Sequence, residues 1–300
     1  MFRIITVLLS LVSAFISTSF AQDQFAGIEI KTIKVSEGIY MLEGSGGNIG
    51  IATGEDGIFM IDDQYSPLTP KILAAISKIS DKPIKFLINT HWHFDHTGGN
   101  ENLGNMDVVI LAHDNVYKRL SAGQLMKDFD KQVPASPKVA LPVVSFNDQV
   151  TFHLNDLHIQ ARHFAHAHTD GDSILFFKNK NVIHTGDIFF NGFYPYIDSG
   201  SGGSIYGMID ATATLLKLVD DTTKIIPGHG PLANKQDLQT FHDMLVQVVD
   251  NVTPLTRQGL SLEEATKRDP LKKLNKKWGN GFLKPDMFLS IIYQTIADHK

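Results

Sequence analysis

Four metal-ligating side chains follow directly after a short apolar run, and this arrangement constrains the fold more than any other feature of the chain. Ile84 to Asn89 is rich in β-forming residues and leads into the run His91-Trp92-His93-Phe94-Asp95-His96. In an extended chain the first two histidines point the same way, because successive side chains alternate. Asp95 and His96 follow at once and can face a second point nearby. One loop at the end of a strand therefore offers ligands to two neighbouring cations.

Three further residues could complete the ligand sets of two cations. They are His168, Asp187 and His229, and each has a glycine within three positions at a predicted junction of strand and loop. Zinc takes about four ligands, and a catalytic site keeps a position open for water. The chain has no cysteine. Nitrogen and oxygen atoms would therefore have to hold the metal, and a thiol enzyme is excluded.

The rest of the chain alternates strand and helix patterns. The predicted strands fall within 28–62, 84–89, 108–112, 139–146, 149–184 and 224–226, and the predicted helices span 68–79, 115–125, 205–219 and 236–249. Strands, then a helix, then strands again indicate two halves of similar plan. We therefore expect an α/β protein in which two sheets pack face to face with helices outside.

The first 21 residues have the composition of a targeting segment. Arg3 precedes an apolar stretch, and small residues lead to Ala21, which is typical of a cleaved secretory signal peptide. An uncleaved anchor is the alternative, but the stretch is short for a bilayer and contains Ser and Thr. We expect cleavage after Ala21 and a periplasmic or secreted protein without stable membrane insertion.

The segment after residue 250 is predicted to be a helical extension. Its last part carries one apolar stripe at helical spacing, formed by Phe288, Ile291, Ile292 and Ile296. Such a stripe indicates core packing rather than a binding surface. The expected organisation is a signal peptide over 1–21, a main domain over 22–250 and a helical C-terminal extension over 251–300.

The charge of the chain argues against nucleic acid as a partner. The formal net charge is −5 at pH 7, whereas binding to nucleic acid needs a basic face that releases counterions. The basic residues between 267 and 277 are more simply a solvated helix face. The expected partner is a small-molecule substrate, and the sequence does not specify the oligomeric state.

The ligand segments, in this order, resemble the motifs of the metallo-β-lactamase superfamily, whose signature is His-x-His-x-Asp-His. The resemblance runs from about Asn48 to His229 and leaves the C-terminal extension outside it. It implies a four-layer αβ/βα sandwich with the metals at one edge. It also implies two zinc ions, with the ligands divided as follows: His91, His93 and His168 on one ion, Asp95, His96 and His229 on the other, and Asp187 bridging both.

Two zinc ions imply hydrolysis. A metal lowers the pKa of its bound water from about 15.7 towards 7 and polarises a carbonyl oxygen. A hydroxide shared by the two ions and held by Asp95 would cleave an amide, ester, lactone or thioester, and no serine nucleophile is needed. His166 is the rival to His168 as a ligand, but the third motif of the superfamily has His followed by Thr or Ser and an acidic residue, which favours His168.

The resemblance leaves alternatives within the superfamily. True β-lactamases have Cys or Ser at the Asp187 position, and several have a lysine shortly after it, but no Lys or Arg occurs from Ile188 to Tyr206. This favours the Asp-bridged hydrolases, with a β-lactamase of weak or strong activity as an alternative. An iron-dependent oxidoreductase is another, although flavodiiron proteins have Glu where His93 stands.

Two segments after Asp187 are candidates for contact with substrate. The aromatic run from Phe189 to Tyr196 could form one wall of the pocket, with Asn191 or Tyr194 donating a hydrogen bond to an oxyanion. The same aromatics could instead pack beneath the loop. Ser199 to Gly203 leads into the helix near Ser204 and is either an anion site at a helix N-terminus or a flexible linker followed by a serine cap.

Overall fold

Two β-sheets form the centre of the protein. The computed structural model describes residues 24–298, and the predicted signal peptide lies outside them. The strands are β1 (Lys31–Ser36), β2 (Ile39–Glu43), β3 (Ile49–Ala52), β4 (Ile58–Ile61), β5 (Ile84–Ile88), β6 (Val109–His113), β7 (Gln124–Met126), β8 (Lys131–Val133), β9 (Val144–Phe146), β10 (Gln149–Leu154), β11 (Leu157–His163), β12 (Ser173–Phe177), β13 (Val182–His184) and β14 (Lys224–Ile226).

Helices cover the outer faces of both sheets. They are α1 (Thr69–Ile76), α2 (Phe94–Thr97), α3 (Asn100–Gly104), α4 (Asp114–Ser121), α5 (Ile205–Leu218), α6 (Lys235–Arg257), α7 (Leu262–Arg268), α8 (Lys272–Trp278) and α9 (Pro285–Asp298). None of these described helices combines the length and the hydropathy needed to cross a bilayer.

The order of the strands brings both sheets to a common edge. The first sheet has the order β1-β2-β3-β4-β5-β6-β9, and the second has the order β10-β11-β12-β13-β14. Strands β4, β5, β6 and β9 run parallel to one another, and β13 runs parallel to β14. Since the carboxyl ends of parallel strands lie at the same edge of a sheet, the loops that follow them meet there.

Three hydrophobic clusters separate four layers. One cluster lies between the two sheets, where Phe59 and Ile88 of the first sheet are packed in the same core as Ile159 and Phe177 of the second. A second cluster joins the outer face of the first sheet to α1. The third joins the outer face of the second sheet to α5, α6 and the C-terminal helices. The predicted four-layer αβ/βα sandwich is confirmed.

The C-terminal extension is part of the third cluster. All four residues of its predicted apolar stripe are buried, Phe288 and Ile292 completely, and they share a core with Phe241 of α6. Helix α6 itself continues to Arg257, well past the predicted end at residue 249, because Val248 and Val252 keep its apolar face buried. The expected boundary at residue 250 therefore falls inside a helix.

The structure corrects the sequence prediction between residues 115 and 146. The predicted helix over 115–125 ends at Ser121, and the predicted strand over 139–146 begins only at Val144, after a 3-10 turn over Lys138–Ala140. Between them β7 and β8 form a two-stranded hairpin, which the sequence analysis missed. Its strands are only three residues long and mostly exposed, so they carry no apolar alternation.

Candidate metal centre and its pocket

The ends of four strands or their loops supply the seven predicted ligands. The run from His91 to His96 follows β5, His168 lies between β11 and β12, and Asp187 and His229 follow the parallel strands β13 and β14. Trp92 points away from its neighbours into the third cluster, while the rings of His91 and His93 lie 4.9 Å apart. The alternation predicted for this loop is therefore present.

One group of ligand atoms comes from His91, His93, His168 and Asp187, which are all buried. Nδ1 of His93 lies 2.8 Å from Nε2 of His168. Oδ2 of Asp187 lies 3.5 Å from that Nε2 and 3.8 Å from Nε2 of His91. These four atoms lie close enough together to be ligands of one cation, whose bonds would be about 2.0–2.2 Å long.

A second group comes from Asp95, His96 and His229. Nε2 of His229 lies 3.3 Å from Oδ2 of Asp95 and 3.3 Å from Nε2 of His96. Asp187 reaches this group too, with Oδ1 3.1 Å from His96 and Oδ2 3.4 Å from His229. The carboxylate of Asp187 therefore lies between the two groups, as the resemblance implied. We call these seven side chains the floor of the site.

Three floor histidines are hydrogen-bonded through their outward nitrogens, which turns their inward nitrogens towards the metal positions. Nε2 of His93 donates to Asp198 at 2.9 Å, and Nδ1 of His168 donates to the carbonyl of Tyr196 at 2.8 Å. Nδ1 of His96 donates to Asp62 at 2.8 Å. A neutral imidazole has one N–H, so in a neutral ring whose outward nitrogen donates, the inward nitrogen is the acceptor that a metal requires. Burial lowers the pKa of His168 to about 4, which keeps that ring neutral.

One buried nitrogen of the floor, Nε2 of His91, has no hydrogen-bond partner. The buried Oδ1 of Asp187 has only its contact with Nε2 of His96. The other nitrogen of His91 is 3.0 Å from the hydroxyl of Thr90, which itself donates to Asp62, so Nε2 of His91 is again the acceptor. Buried polar atoms are rarely left without partners, and bound cations would provide them here. The residues fit a metal centre with two positions.

Burial and charge together set the pKa values of the second group. Burial alone would lower the pKa of His229, but the carboxylates of Asp187 and Asp95 raise it to about 9. Burial would raise the pKa of Asp95, yet His96 and His229 lower it to about 2. The metal-free cluster therefore collects positive charge from protons, which is the charge that metal cations would supply.

Close packing around the floor requires glycine at two positions. A Cβ atom at Gly47 would lie 2.0 Å from the ring of His96, and one at Gly228 would lie 2.1 Å from Oδ1 of Asp187. Asn48 then joins the two sheets, since its side-chain amide donates to the carbonyls of Pro227 and Gly230 on either side of His229. The sequence analysis did not identify these residues, because nothing near them in the chain indicates a ligand.

The glycine-rich segment after Asp198 supports a ligand loop. The backbone N–H groups of Ser201 and Gly203 both donate to Asp198, so they are not free to bind an anion. Asp198 N–H donates to the carbonyl of His168, which fixes the segment against that ligand. The serine cap of the second predicted alternative is confirmed, since Ser204 accepts from Tyr206 N–H, and the bonded amides do not support the predicted anion site.

Two predicted substrate contacts are wrong. The hydroxyl of Tyr194 donates to Asn275 of the C-terminal extension, and its ring is buried against Phe288. The side chain of Asn191 donates to the carbonyl of Pro231. Neither side chain lines the pocket above the floor, so the alternative that this aromatic run packs beneath the loop holds for Tyr194. His166 is exposed and bonds to Gly202, so it is not a ligand.

The pocket above the floor is mainly apolar. It has a volume of about 450 Å³. Besides four floor residues (His93, Asp95, Asp187 and His229), its lining consists of Gly46, Tyr65, Phe94, Met126, Phe129, Lys131, Phe190, Tyr196 and Phe282. Residues 124–133 of the β7–β8 hairpin and Phe282 of the extension form its outer edge, which we call the rim. The sequence analysis missed the whole rim.

Comparison with known proteins agrees with this geometry. The family model of the metallo-β-lactamase superfamily matches residues 40–229. The chain belongs to the metallo-β-lactamase superfamily. Its fold is similar to that of a metallo-β-lactamase from Pontibacter korlensis, with a TM-score of 0.59 and 16% identity over 73% of this chain and 99% of that one.

Two characterised proteins to which this chain is similar are named as hydrolases. The hydroxyacylglutathione hydrolase of Pelagibacter ubique (strain HTCC1062) is 27% identical over 170 residues, which are 56% of this chain and 62% of that protein. The linear primary-alkylsulfatase of Pseudomonas sp. (strain ATCC 19151) is 24% identical over 254 residues, which are 71% of this chain and 48% of that protein. The chain thus spans about three fifths and about half of the lengths of these two relatives.

Proposed function

We propose that the protein is a binuclear zinc hydrolase that cleaves an ester or thioester bond of a partly apolar acyl substrate. The observation that carries this proposal is the pair of ligand groups joined by Asp187 beneath an apolar pocket. Ligand sets made only of imidazoles and carboxylates suit zinc. The wider set of bonds predicted from sequence, which includes lactones and amides, is narrowed here by the character of the pocket and by the relatives.

Each residue of the site has a defined part in this reaction. When bound, the two cations supply an activated water and a Lewis acid for a carbonyl oxygen. The carboxylate of Asp95 stays ionised at neutral pH because its pKa lies at about 2, so it accepts a hydrogen bond and orients the attacking water. Asp187 holds the two ligand groups at a fixed separation. Tyr196 and Phe190 exclude solvent from the reacting carbonyl.

The kind of bond is supported by the relatives. Hydroxyacylglutathione is a thioester, and the chain is similar to an enzyme named for its hydrolysis. Alkyl sulfate esters are the second candidate substrate, because the aromatic pocket suits an alkyl chain and the likeness to the linear primary-alkylsulfatase covers 71% of this chain. β-Lactam cleavage and iron-dependent oxidation remain alternatives, which the substrate and metal measurements below distinguish.

We also propose export. The composition of residues 1–21 supports a signal peptide that is cleaved after Ala21. N-terminal sequencing of protein recovered from the periplasmic fraction should begin at Gln22, and retention in the cytoplasm with an intact Met1 would disprove this.

The experiment that tests the enzymatic proposal combines metal analysis with a substrate screen. Purified protein should contain two zinc ions per chain and should hydrolyse acyl thioesters or aryl esters faster than nitrocefin, lactones or alkyl sulfates. Chelation should abolish the activity and added zinc should restore it. Asp95→Asn should lower kcat by about 10²- to 10³-fold, whereas the matched surface variant Asp81→Asn should not. Hydrolysis that survives chelation would overturn the mechanism, and iron with oxygen consumption would favour the oxidoreductase.

A further inference from the structure

We infer that Lys131 on the rim binds an anionic group of the substrate. This inference rests on the proposed function and narrows its substrate class to acyl compounds that carry a carboxylate, sulfonate or phosphate as well as an apolar portion. The sequence analysis found no Lys or Arg after Asp187, where several β-lactamases have one. The fold supplies a cation from another part of the chain.

Lys131 is the one cationic side chain of the pocket lining apart from the floor histidines. Its ammonium group lies 3.4 Å from the centroid of the Phe94 ring, directly beside the metal-ligating loop. A cation over an aromatic face is attracted by the ring but keeps most of its capacity for an anion. The ammonium group therefore lies at the pocket and faces the space that a substrate would occupy.

Lys131 lacks the polar partners that some of the described lysines have. Lys82 and Lys267 form ion pairs with glutamates, and Lys71 donates to three backbone carbonyls. No ion pair or side-chain hydrogen bond of Lys131 occurs within residues 24–298. Partial burial lowers the pKa of Lys131, and the Asp95 carboxylate opposes that shift. An ammonium group in this position gains from an anion beside it.

The fold holds Lys131 in place. Lys131 pairs with Met126 across the β7–β8 hairpin, and Met126 is buried in the third cluster. Asp128 at the turn accepts a hydrogen bond from the hydroxyl of Tyr196, a residue of the pocket wall. The hairpin is thus tied to the site at two points, which keeps Lys131 at the edge of the pocket with its side chain exposed to solvent.

The pocket lining combines apolar rings with one ammonium group. Phe129 and Phe282, whose ring centroids lie 6.5 Å apart, provide apolar surface, and Lys131 provides the positive charge. A substrate with an apolar portion and an anionic group would use both. A neutral substrate of the same length would fill the apolar part but leave the ammonium group without a partner.

The test uses a charged and a neutral probe of equal chain length on the zinc-loaded protein. Octane-1-sulfonate and octan-1-ol cannot be hydrolysed, so their affinities, measured by calorimetry, do not depend on catalysis. We expect Lys131→Met to weaken the affinity for octane-1-sulfonate by about 10-fold and to leave the affinity for octan-1-ol unchanged. Lys131→Arg should restore most of the loss, and the control Lys217→Met, on the exposed side of α5 and outside the pocket lining, should have no effect.

Kinetics provide the second measurement. The substrates are monothioesters of a dicarboxylic acid, with the second carboxyl group either free or methylated. Lys131→Met should raise KM about 10-fold for the substrate with the free carboxylate. It should change neither KM nor kcat for the methylated substrate. Equal losses for both probes would show that Lys131 acts only by packing on Phe94, and unchanged affinity for the sulfonate would overturn the inference. If the wild type hydrolyses no thioester or ester, the proposed function fails, while the calorimetry still decides the role of Lys131.

Discussion

The floor of the site is held rigidly by buried partners, whereas the rim is exposed and held by few contacts. His91, His96 and His168 are at most 1% exposed, and the outward nitrogens of the latter two bond to Asp62 and to a backbone carbonyl. Phe282 on the rim is 58% exposed, and Phe129 is 37% exposed. The two parts are also built from different segments, the floor from strand ends and the rim from a short hairpin and the extension.

This difference indicates that chemistry and selectivity are encoded separately. Under the proposed function, a change on the floor would alter metal binding and therefore every reaction of the protein. A change on the rim would alter the fit of a substrate without reaching the metals. Three substitutions test this division, beginning with the one expected to have the largest effect, and a fourth compares the floor with a histidine pair outside it.

The largest effect is expected from Asp187→Asn. Asp187 lies within 3.8 Å of nitrogens on four histidines, and its charge lies between both ligand groups. An amide cannot replace that charge. We expect zinc to fall from two ions per chain to one or fewer and kcat/KM to fall by at least about 10³-fold. Metal analysis and kinetics check this against Asp250→Asn on the exposed face of α6, and full metal content would contradict the bridging role.

A smaller effect is expected from the residues behind the floor. Asp198 accepts the N–H of His93 and so fixes which nitrogen faces inward. We expect Asp198→Asn to weaken the affinity for zinc by about 10- to 100-fold. Competition with a chromogenic chelator measures this affinity. Asp128→Asn on the rim keeps an acceptor for Tyr196 and should leave zinc affinity unchanged. Equal zinc affinities in the two variants would remove the distinction between floor and rim.

A still smaller effect is expected on the rim itself. Phe282→Ala removes one of the two rings that flank the outer pocket, and an aromatic contact of this kind contributes about 0.5–1.5 kcal/mol. We expect KM for apolar acyl substrates to rise about 2- to 10-fold, with zinc content and kcat unchanged. Leu218→Ala, an exposed apolar residue outside this pocket, is the control. A fall in kcat or zinc content would mean that the rim reaches the chemistry.

The smallest effect concerns histidines that need no cation. His113 and His163 stack with centroids 3.7 Å apart. In His113, Nδ1 accepts from Asn115 N–H at 3.2 Å, and Nε2 donates to the carbonyl of Asn147 at 2.9 Å. Burial and the neighbouring His163 lower the pKa of His113, and burial lowers the pKa of His163. Both rings therefore bind a proton less readily in the folded state than in the unfolded chain, and this pair differs from the floor because its partners lie within the chain.

The sign of the pH dependence follows from these directions. Below the ordinary histidine pKa of about 6.5 the unfolded chain takes up protons that the folded pair resists, so stability is lost as pH falls, by at most about 1.4 kcal/mol per pH unit for each histidine. His163→Gln should reduce this loss. Urea unfolding of the metal-free protein at pH 7.5 and 5.5 measures this loss of stability. The wild type and the variant share the floor histidines, so the difference between them reports on the pair alone. Equal losses in wild type and variant would exclude a role for the pair.

The residues that form the floor could be predicted from the sequence because metal ligation limits the choice of side chain and its position. Four of the ligands stand together in one short segment after β5, with a spacing that is visible in the sequence. Nearby glycines mark the other three ligands. The order of the layers could be predicted because strands and helices each have their own period of apolar residues, which is visible within a short stretch of sequence. The buried stripe of α9 was predicted in the same way and is confirmed.

Only the tertiary structure decided which residues support and surround the floor. Asp198 lies 105 positions from His93, and Asp62 lies 34 positions from His96. Lys131 and Phe282 reach the pocket from segments without any ligand motif. Tyr194 seemed suited to the site by its position after Asp187, but its hydroxyl pairs with Asn275 instead. A hydrogen-bond acceptor or an aromatic ring is a common residue type, so its role depends on which distant side chain packing brings beside it.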